Sequence, residues 1–160
     1  MLLDDFQPPL TSEWVYLADT VMGGRSQGDG ALLNEDGLAF ARLTGNVTTA
    51  NNGGFIQIRR NLPDLSDVPA QGIRLIVRGN DQPYFIHLRT GQSIRPWAYY
   101  AQSFDAPSQW QEVRLPFADF EPSARFMSRS IDVGDLKTLG IVAYGRDHVA
   151  LLDVAEVGLY

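Results

Sequence analysis

One stretch of the sequence has the residue types and spacing of a hydrolase nucleophile. Gly24-Arg25-Ser26-Gln27-Gly28 formally fits the pattern of a nucleophile elbow, and Asp147 and His148 follow in the chain order expected of an acid and a base. An elbow needs a strand before the serine and a helix after it, whereas here a glycine-rich turn leads into another strand. On a strand, adjacent Asp147 and His148 would also point to opposite faces. The sequence therefore favours a protein without catalytic residues.

The same serine belongs to a segment that looks built for a tight crossing of the chain. Asp19–Ser26 contains an acid, two adjacent glycines, a cation and a hydroxyl, and it follows the strand-like run 14–17. Glycine pairs allow unusual backbone angles and close approach, and a second pair, Gly53-Gly54, precedes another strand-like run. We expect the two pairs to meet in space. The predicted structural motif comprises Met22, Gly23, Gly24, Gly53, Gly54 and Phe55.

Other kinds of site lack their residues. The chain has no cysteine, and its two histidines, His87 and His148, are far apart with no partner at ligand spacing, so we expect no metal site. The glycine-rich patterns of nucleotide pockets are missing, and the acid pairs lie at the chain start and in a turn, where nothing places them across a sugar ring. We expect no cofactor and no glycosidase chemistry.

A binding face is the sharper hypothesis. In 73–78 and 84–89, apolar and polar residues alternate as in strands, which would let Arg78 and Arg89 share one sheet face. Arginines and flat aromatic rings together bind polar ligands, sugars or peptide segments. The predicted binding residues are Asp19, Ser26, Arg78, Phe85, His87, Arg89, Trp97 and Tyr99. In the alternative, the arginines pair with Asp19 or another acid inside the fold, and the aromatic residues fill its core.

The elements that would position these residues are short strands. Runs with strand spacing recur between turns along the whole chain, no long helix is evident, and only 135–139 suggests a helical turn. Residues 27–30 look like a turn, and Pro8 and Pro9 indicate an extended entry. This pattern predicts an all-β protein, an antiparallel β-sandwich or jelly roll with few short helical turns.

Composition limits the partners. The 160 residues, 44% of them hydrophobic and 20% charged, suit a single domain over 1–160. A net charge of -6 disfavours nucleic acid, whose binding depends on clustered cations. Neither a signal-peptide pattern nor an apolar run of membrane-spanning length is present, so we expect a cytoplasmic protein without membrane insertion.

Several of these residues also carry a resemblance to a known family. Trp14, the segment Asp19–Ser26, Gly53-Gly54-Phe55, Arg78-Gly79 with Tyr84 and Arg89, Leu115-Pro116-Phe117 with Phe120, and the closing Val157–Tyr160 are similar to the complex I intermediate-associated protein family. The likeness covers nearly the whole chain, and its Asp-Thr-Val-Met-Gly-Gly-x-Ser element is the most specific part.

The resemblance implies a galactose-binding-like jelly roll and no established catalytic residues. It also implies an assembly-factor or chaperone-like role, because the mitochondrial members help to assemble respiratory complex I and plastid relatives act in photosystem protein synthesis. We expect the chain to lack the targeting extension of the former and the fused nucleotide-binding domain of the latter. Protein subunits of a respiratory or photosynthetic membrane complex are therefore the expected partners. The alternative expectation is a carbohydrate-binding module, since jelly rolls of this type often present aromatic rings to sugars.

Overall fold

A computed structural model describes residues 1–8, 13–93 and 95–160 of the chain. Its strands are β1 (Leu2–Asp4), β2 (Val15–Ala18), β3 (Gln27–Glu35), β4 (Leu38–Val47), β5 (Phe55–Asn61), β6 (Gly72–Gly79), β7 (Gln82–Thr90), β8 (Tyr100–Ala106), β9 (Gln111–Pro116), β10 (Glu121–Pro122), β11 (Leu136–Tyr144) and β12 (His148–Leu159). Helical structure is confined, in these residues, to the single 3-10 turns Asp19–Met22, Ala50–Asn52, Phe117–Asp119 and Val133–Asp135. The all-β prediction is confirmed.

The strands form two antiparallel sheets. Sheet A has the order β3-β4-β12-β6-β9, with β1 pairing beside the end of β12, and sheet B has the order β10-β8-β7-β11-β5-β2. Because side chains alternate across a strand, each sheet has an inner face toward the other sheet and an outer face away from it. No helix in the described part of the chain is long and apolar enough to cross a membrane.

The core lies between the two inner faces. In β7, Tyr84, Ile86 and Leu88 are fully buried, and Leu75 and Val77 of β6 are buried in the same cluster from sheet A. This packing is the expected result of period-two alternation. It leaves Phe85, His87 and Arg89 on the outer face of sheet B.

Two local predictions differ from the structure, and a third lies partly outside the described residues. Residues 27–30 belong to strand β3 instead of a turn, because Gly28 and Gly30 let β3 pass close to the side chains of Tyr16 and Ile58. The predicted helical turn at 135–139 is wrong beyond Asp135, where β11 begins and pairs with both β5 and β7. Pro8 lies in the described entry segment, whereas Pro9 lies outside the described residues.

Candidate functional site

The Asp19 carboxylate joins the two glycine pairs. Asp19 is fully buried at the start of the 3-10 turn Asp19–Met22, which is followed by Gly23, a residue with a left-handed φ of 84°. One carboxylate oxygen accepts from the Ser26 amide at 3.0 Å. The other accepts from the Ser26 hydroxyl at 2.5 Å, the Gly54 amide at 2.6 Å and the Phe55 amide at 3.3 Å. The expectation that the glycine pairs meet is confirmed, and we call this arrangement the Asp19 clamp.

The glycines of the clamp are needed for space as well as for backbone angle. A Cβ atom on Gly24 would lie 2.5 Å from the Asp19 Cγ, and one on Gly53 would lie 2.8 Å from it. Burial alone raises the pKa of the Asp19 carboxyl, but the hydrogen bonds from Ser26, Gly54 and Phe55 outweigh that effect and lower it. The clamp therefore holds a charged carboxylate at neutral pH.

The clamp corrects the roles expected of Asp19 and Ser26. Both are buried, and their side-chain oxygens bond to each other and to backbone groups, since the Ser26 oxygen also accepts from the Thr48 amide at 2.9 Å. Neither side chain offers a free atom to a partner. The arginine that was expected opposite Asp19 in the alternative interpretation is replaced by Ser26 and backbone amides among the described residues.

Arg78 does not share a face with Arg89. It lies on β6 in sheet A, where it donates to Asp153 at 2.8 Å and pairs with Glu35 at 3.0 Å. Its guanidinium also lies 4.6 Å from the ring centre of Trp110. Arg42 joins the same buried Asp153 through two hydrogen bonds. Arg78 thus belongs to an ion-pair network on the outer face of sheet A, away from Arg89.

The other predicted residues do come together, on the outer face of sheet B. Phe85, His87 and Arg89 follow one another on this face of β7, and Tyr99 stacks on His87 with ring centres 4.0 Å apart. The Arg89 guanidinium lies 5.5 Å from the Tyr99 ring centre. Phe55 and Tyr144, which were not predicted to lie beside these residues, complete the group. We define the aromatic face as Phe55, Phe85, His87, Arg89, Tyr99 and Tyr144.

Tyr144 connects Phe55 to Phe85 and His87 within the aromatic face. It is the cross-strand partner of Phe55, and its ring packs edge-on against Phe85 at 5.7 Å and against His87 at 5.5 Å. Since the Phe55 amide bonds to Asp19, the clamp fixes the end of the strand from which this run of rings starts. Contacts therefore continue from Asp19 through Phe55 and Tyr144 to His87.

Two polar rings of the aromatic face, His87 and Tyr99, have shifted pKa values. His87 is only 5% exposed, and its Nε2 has no hydrogen-bond partner, although leaving a buried polar atom unpaired costs about 1–3 kcal/mol. Burial, with a smaller contribution from the positive charge of Arg89, lowers the pKa of His87 to about 3. His87 is therefore a neutral imidazole, able to donate one hydrogen bond and accept another. Burial and the neighbouring Tyr144 phenol raise the pKa of Tyr99.

The sequence interpretation missed four residues on the outer face of sheet B: Gln57, Arg59, Thr138 and Tyr144. Gln57 and Arg59 alternate with the buried Ile56 and Ile58 of β5, so their orientation was predictable. Their position beside His87 was not predictable, because it follows from the pairing of β5 and β7 with opposite edges of β11.

Trp97 lies in the loop before β8 and is 56% exposed. Its ring contacts the Arg95 guanidinium at 5.4 Å, and its backbone carbonyl accepts from the Ser123 hydroxyl. The loop also supplies the Ala98 carbonyl, which accepts from Arg89 at 3.3 Å. Trp97 thus borders the Arg89 end of the aromatic face without touching its rings.

Other candidate centres are weaker. The Ser26 hydroxyl bonds to Asp19, whereas His148 contacts the Arg146 carbonyl through Nδ1, so no described contact joins a serine to a histidine. The described residues contain no group of side chains suited to hold a metal. An open depression of about 580 Å³ near Phe117 and Phe120 is lined by two acids and Arg129, and it is separate from the aromatic face.

Comparison with solved structures shows a shared fold. The family 11 carbohydrate-binding module of the cellulase Lic26A-Cel5E of Clostridium thermocellum has a TM-score of 0.78 and 16% identity, covering 99% of this chain and 92% of that one. A module of the same family in complex with a beta-1,3-1,4-mixed-linked tetrasaccharide has a TM-score of 0.77, 16% identity and coverages of 99% and 93%. The family 30 module of the C. thermocellum cellulase Cel9D-Cel44B has a TM-score of 0.60 and 14% identity, covering 84% of this chain and 89% of that one. Identities this low show the jelly-roll fold alone.

Sequence comparison shows the family. A search of curated proteins gives no significant match. The family model for Complex I intermediate-associated protein 30 (CIA30) matches residues 5–151, which include the Asp19 clamp and the whole aromatic face. The chain therefore belongs to the CIA30 family.

Proposed function

We propose that this protein is a non-catalytic binding module that holds a polypeptide segment on the aromatic face, and that it acts as an assembly factor for a respiratory or photosynthetic membrane complex. The family supports the assembly role, since its name describes association with complex I intermediates. The expected partners are protein subunits of such a complex. The Asp19 clamp has a positioning role, because it fixes the Phe55 end of the face.

The contrast between the two outer faces carries this proposal. On sheet A, four arginines have carboxylate partners within 4.0 Å: Arg42, Arg74, Arg78 and Arg114. On sheet B, neither Arg59 nor Arg89 has one among the described residues, and the Arg89 guanidinium lies 5.5 Å from the Tyr99 ring centre. Charged residues on a solvated sheet face ordinarily have partners, as these arginines of sheet A do. An aromatic face with free cations is instead typical of a binding surface.

The packing of the face suits a binding surface that forms before its partner arrives. Val142 lies on the outer face of sheet B, between Gln57 and Phe85 in the strand register, and it is fully buried. The rings and Gln57 thus already pack on one another. A preorganised surface loses less side-chain entropy when it binds.

Selection of peptides tests the proposal. The wild-type protein would be used to select peptides from a displayed random 12-residue library, and binding of the selected peptides would be measured by calorimetry. Tyr144→Ala should weaken binding at least tenfold, while Phe126→Ala, which removes an exposed ring outside the aromatic face, should not. Selection of no peptide, or equal binding by both variants, would reject the face as a polypeptide site.

A carbohydrate is the second candidate. Tyr99 and Tyr144 supply rings of the kind that stack on sugars, and the fold is that of modules described as carbohydrate-binding. The contacts of these rings favour the first candidate, because Tyr99 already stacks on His87 and Tyr144 already packs on Phe85. A glycan array that includes mixed-linkage β-glucans, sensitive to dissociation constants of about 1 mM, separates the two candidates. Tyr144-dependent glycan binding without peptide binding would establish the carbohydrate function.

A further inference from the structure

The centre of the aromatic face is a glycine between two strands that carry arginines. Gly140 of β11 pairs with Arg59 of β5 on one side and with His87 of β7 on the other. A Cβ atom at this position would lie 2.7 Å from the Gln57 Oε1. The absent side chain therefore makes room for the Gln57 carboxamide, which lies over the strand between Arg59 and His87.

Three polar side chains at this centre lack hydrogen-bond partners within the described chain. The Nε2 atom of His87 and the Oγ1 atom of Thr138 are buried and unpaired. Gln57 is 5% exposed, and its carboxamide makes none of the hydrogen bonds found in residues 1–8, 13–93 and 95–160. Buried polar groups in folded proteins normally have partners. Of these three groups, the Gln57 carboxamide is the one that a ligand can reach, since its atoms are not among the buried unpaired ones.

Two cations border these groups without an acidic partner. Arg89 is the cross-strand neighbour of Thr138, and its guanidinium makes one weak hydrogen bond, to the Ala98 carbonyl at 3.3 Å. Arg59 forms no side-chain hydrogen bond or ion pair within the described ranges. Burial, and to a smaller extent repulsion from the positive charge of Arg59, lowers the pKa of Arg89. An anion between them would relieve the repulsion.

The acids of sheet B do not fill this role. By register, Asp105 of β8 and Glu121 of β10 are on the same outer face, but they lie toward its β8–β10 edge. Neither makes an ion pair with Arg59 or Arg89 at 4.0 Å or less among the described residues. A chain with a net charge of -6 thus keeps two free cations at the centre of one face.

We propose that Arg59 and Arg89 bind the carboxylate of an aspartate or glutamate side chain in the polypeptide held on the aromatic face, an inference that rests on the proposed function. Guanidinium groups match a carboxylate through paired N–H donors. The Gln57 carboxamide adds an N–H donor that needs no change of protonation. The rings of Phe85 and Tyr144 cover the apolar part of the bound segment.

The test uses the peptides selected by the wild-type protein. Each peptide would be made with its acidic residues changed one at a time to the matching amide, and binding would be measured to wild-type, Arg89→Gln and Arg59→Gln proteins. One acid should prove critical: its amide form should bind wild-type protein at least tenfold more weakly. That loss should shrink to less than threefold in Arg89→Gln or Arg59→Gln. Arg114→Gln, an exposed arginine on sheet A, is the matched control and should behave as wild type.

The outcomes separate the two proposals. Peptides that need Tyr144 but lose nothing on conversion to amides would overturn the carboxylate site and leave the proposed function standing. An equal amide effect in wild type and Arg89→Gln would also overturn it. A second arm uses oligogalacturonate in place of the peptide. Arg89-dependent binding of that acidic sugar, with no peptide bound, would overturn the polypeptide as the source of the carboxylate and the proposed function with it.

Discussion

The Asp19 carboxylate accepts a hydrogen bond from the Gly54 amide at 2.6 Å, across 35 residues of sequence. This contact joins the turn before β3 to the start of β5, the strand that begins with Phe55. Because Phe55 pairs with Tyr144, the position of the aromatic face depends on the buried charge of Asp19. The structural motif and the aromatic face thus share Phe55 and are directly connected through it.

Removing the Asp19 carboxylate should destabilise the fold strongly. Asp19→Ala leaves the amides of Ser26 and Gly54 and the Ser26 hydroxyl without their acceptor in a buried site. We expect a loss of about 3 kcal/mol in the free energy of unfolding. Urea denaturation of Asp19→Ala beside Asp67→Ala, a change at an exposed acid, provides the measurement. A loss of similar size in both variants would contradict the clamp.

Gly24 and Gly23 should respond differently to alanine. Gly24→Ala places a methyl group against the Asp19 carboxylate, so its cost should fall when Asp19→Ala is also present. Gly23 has a φ of 84°, and a methyl group there would meet no atom within 4 Å, so its cost of about 1 kcal/mol should not depend on Asp19. Double-mutant cycles by urea denaturation measure both couplings. Equal coupling at the two glycines would show that Gly24 is not needed to make room for the Asp19 carboxylate.

His87 should make the stability of the protein depend on pH. Its pKa is about 3 in the folded protein and about 6.5 when unfolded, so the unfolded chain binds an extra proton between these values. This contribution to stability is therefore complete above pH about 6.5 and is lost progressively as pH falls toward 3. Between pH 7 and 4.5, wild type should lose about 2 kcal/mol more than His87→Gln.

Denaturation curves at several pH values test this expectation. His148 is present in both proteins, so its own lowered pKa contributes equally to each. Parallel pH profiles for wild type and His87→Gln would mean that His87 is more accessible to water than the structure indicates.

Arg78 should matter for stability and not for binding. Arg78→Gln breaks the contact with the buried Asp153 and the packing on Trp110, which should cost about 1–2 kcal/mol. Peptide affinity should stay within twofold of wild type, because Arg78 lies on sheet A. Calorimetry and urea denaturation of the same variant supply both numbers, and a tenfold loss of affinity in a folded variant would restore Arg78 as a binding residue.

The sequence pattern was sufficient to predict the strands and the meeting of the glycine pairs. It failed where the chain passes from one sheet to the other. Alternation in β6 and β7 shows which side chains are buried, but it does not show that the chain changes sheet at Asn80-Asp81, which separates Arg78 from Arg89. Likewise, Arg59 and Gln57 reach the site through pairing with β11, a strand about 80 residues later. Long-range pairing leaves no local signal in one sequence.

The most direct measurement exploits the absence of native cysteine. A photo-crosslinker attached at Ser103→Cys would lie beside Phe85 on the outer face of sheet B, and one at Val149→Cys would lie on the outer face of sheet A. With a selected peptide, the account predicts an efficient crosslink from position 103 and none above background from position 149. A crosslink from 149 alone, or equal yields from both positions, would contradict the assignment of the aromatic face as the binding surface.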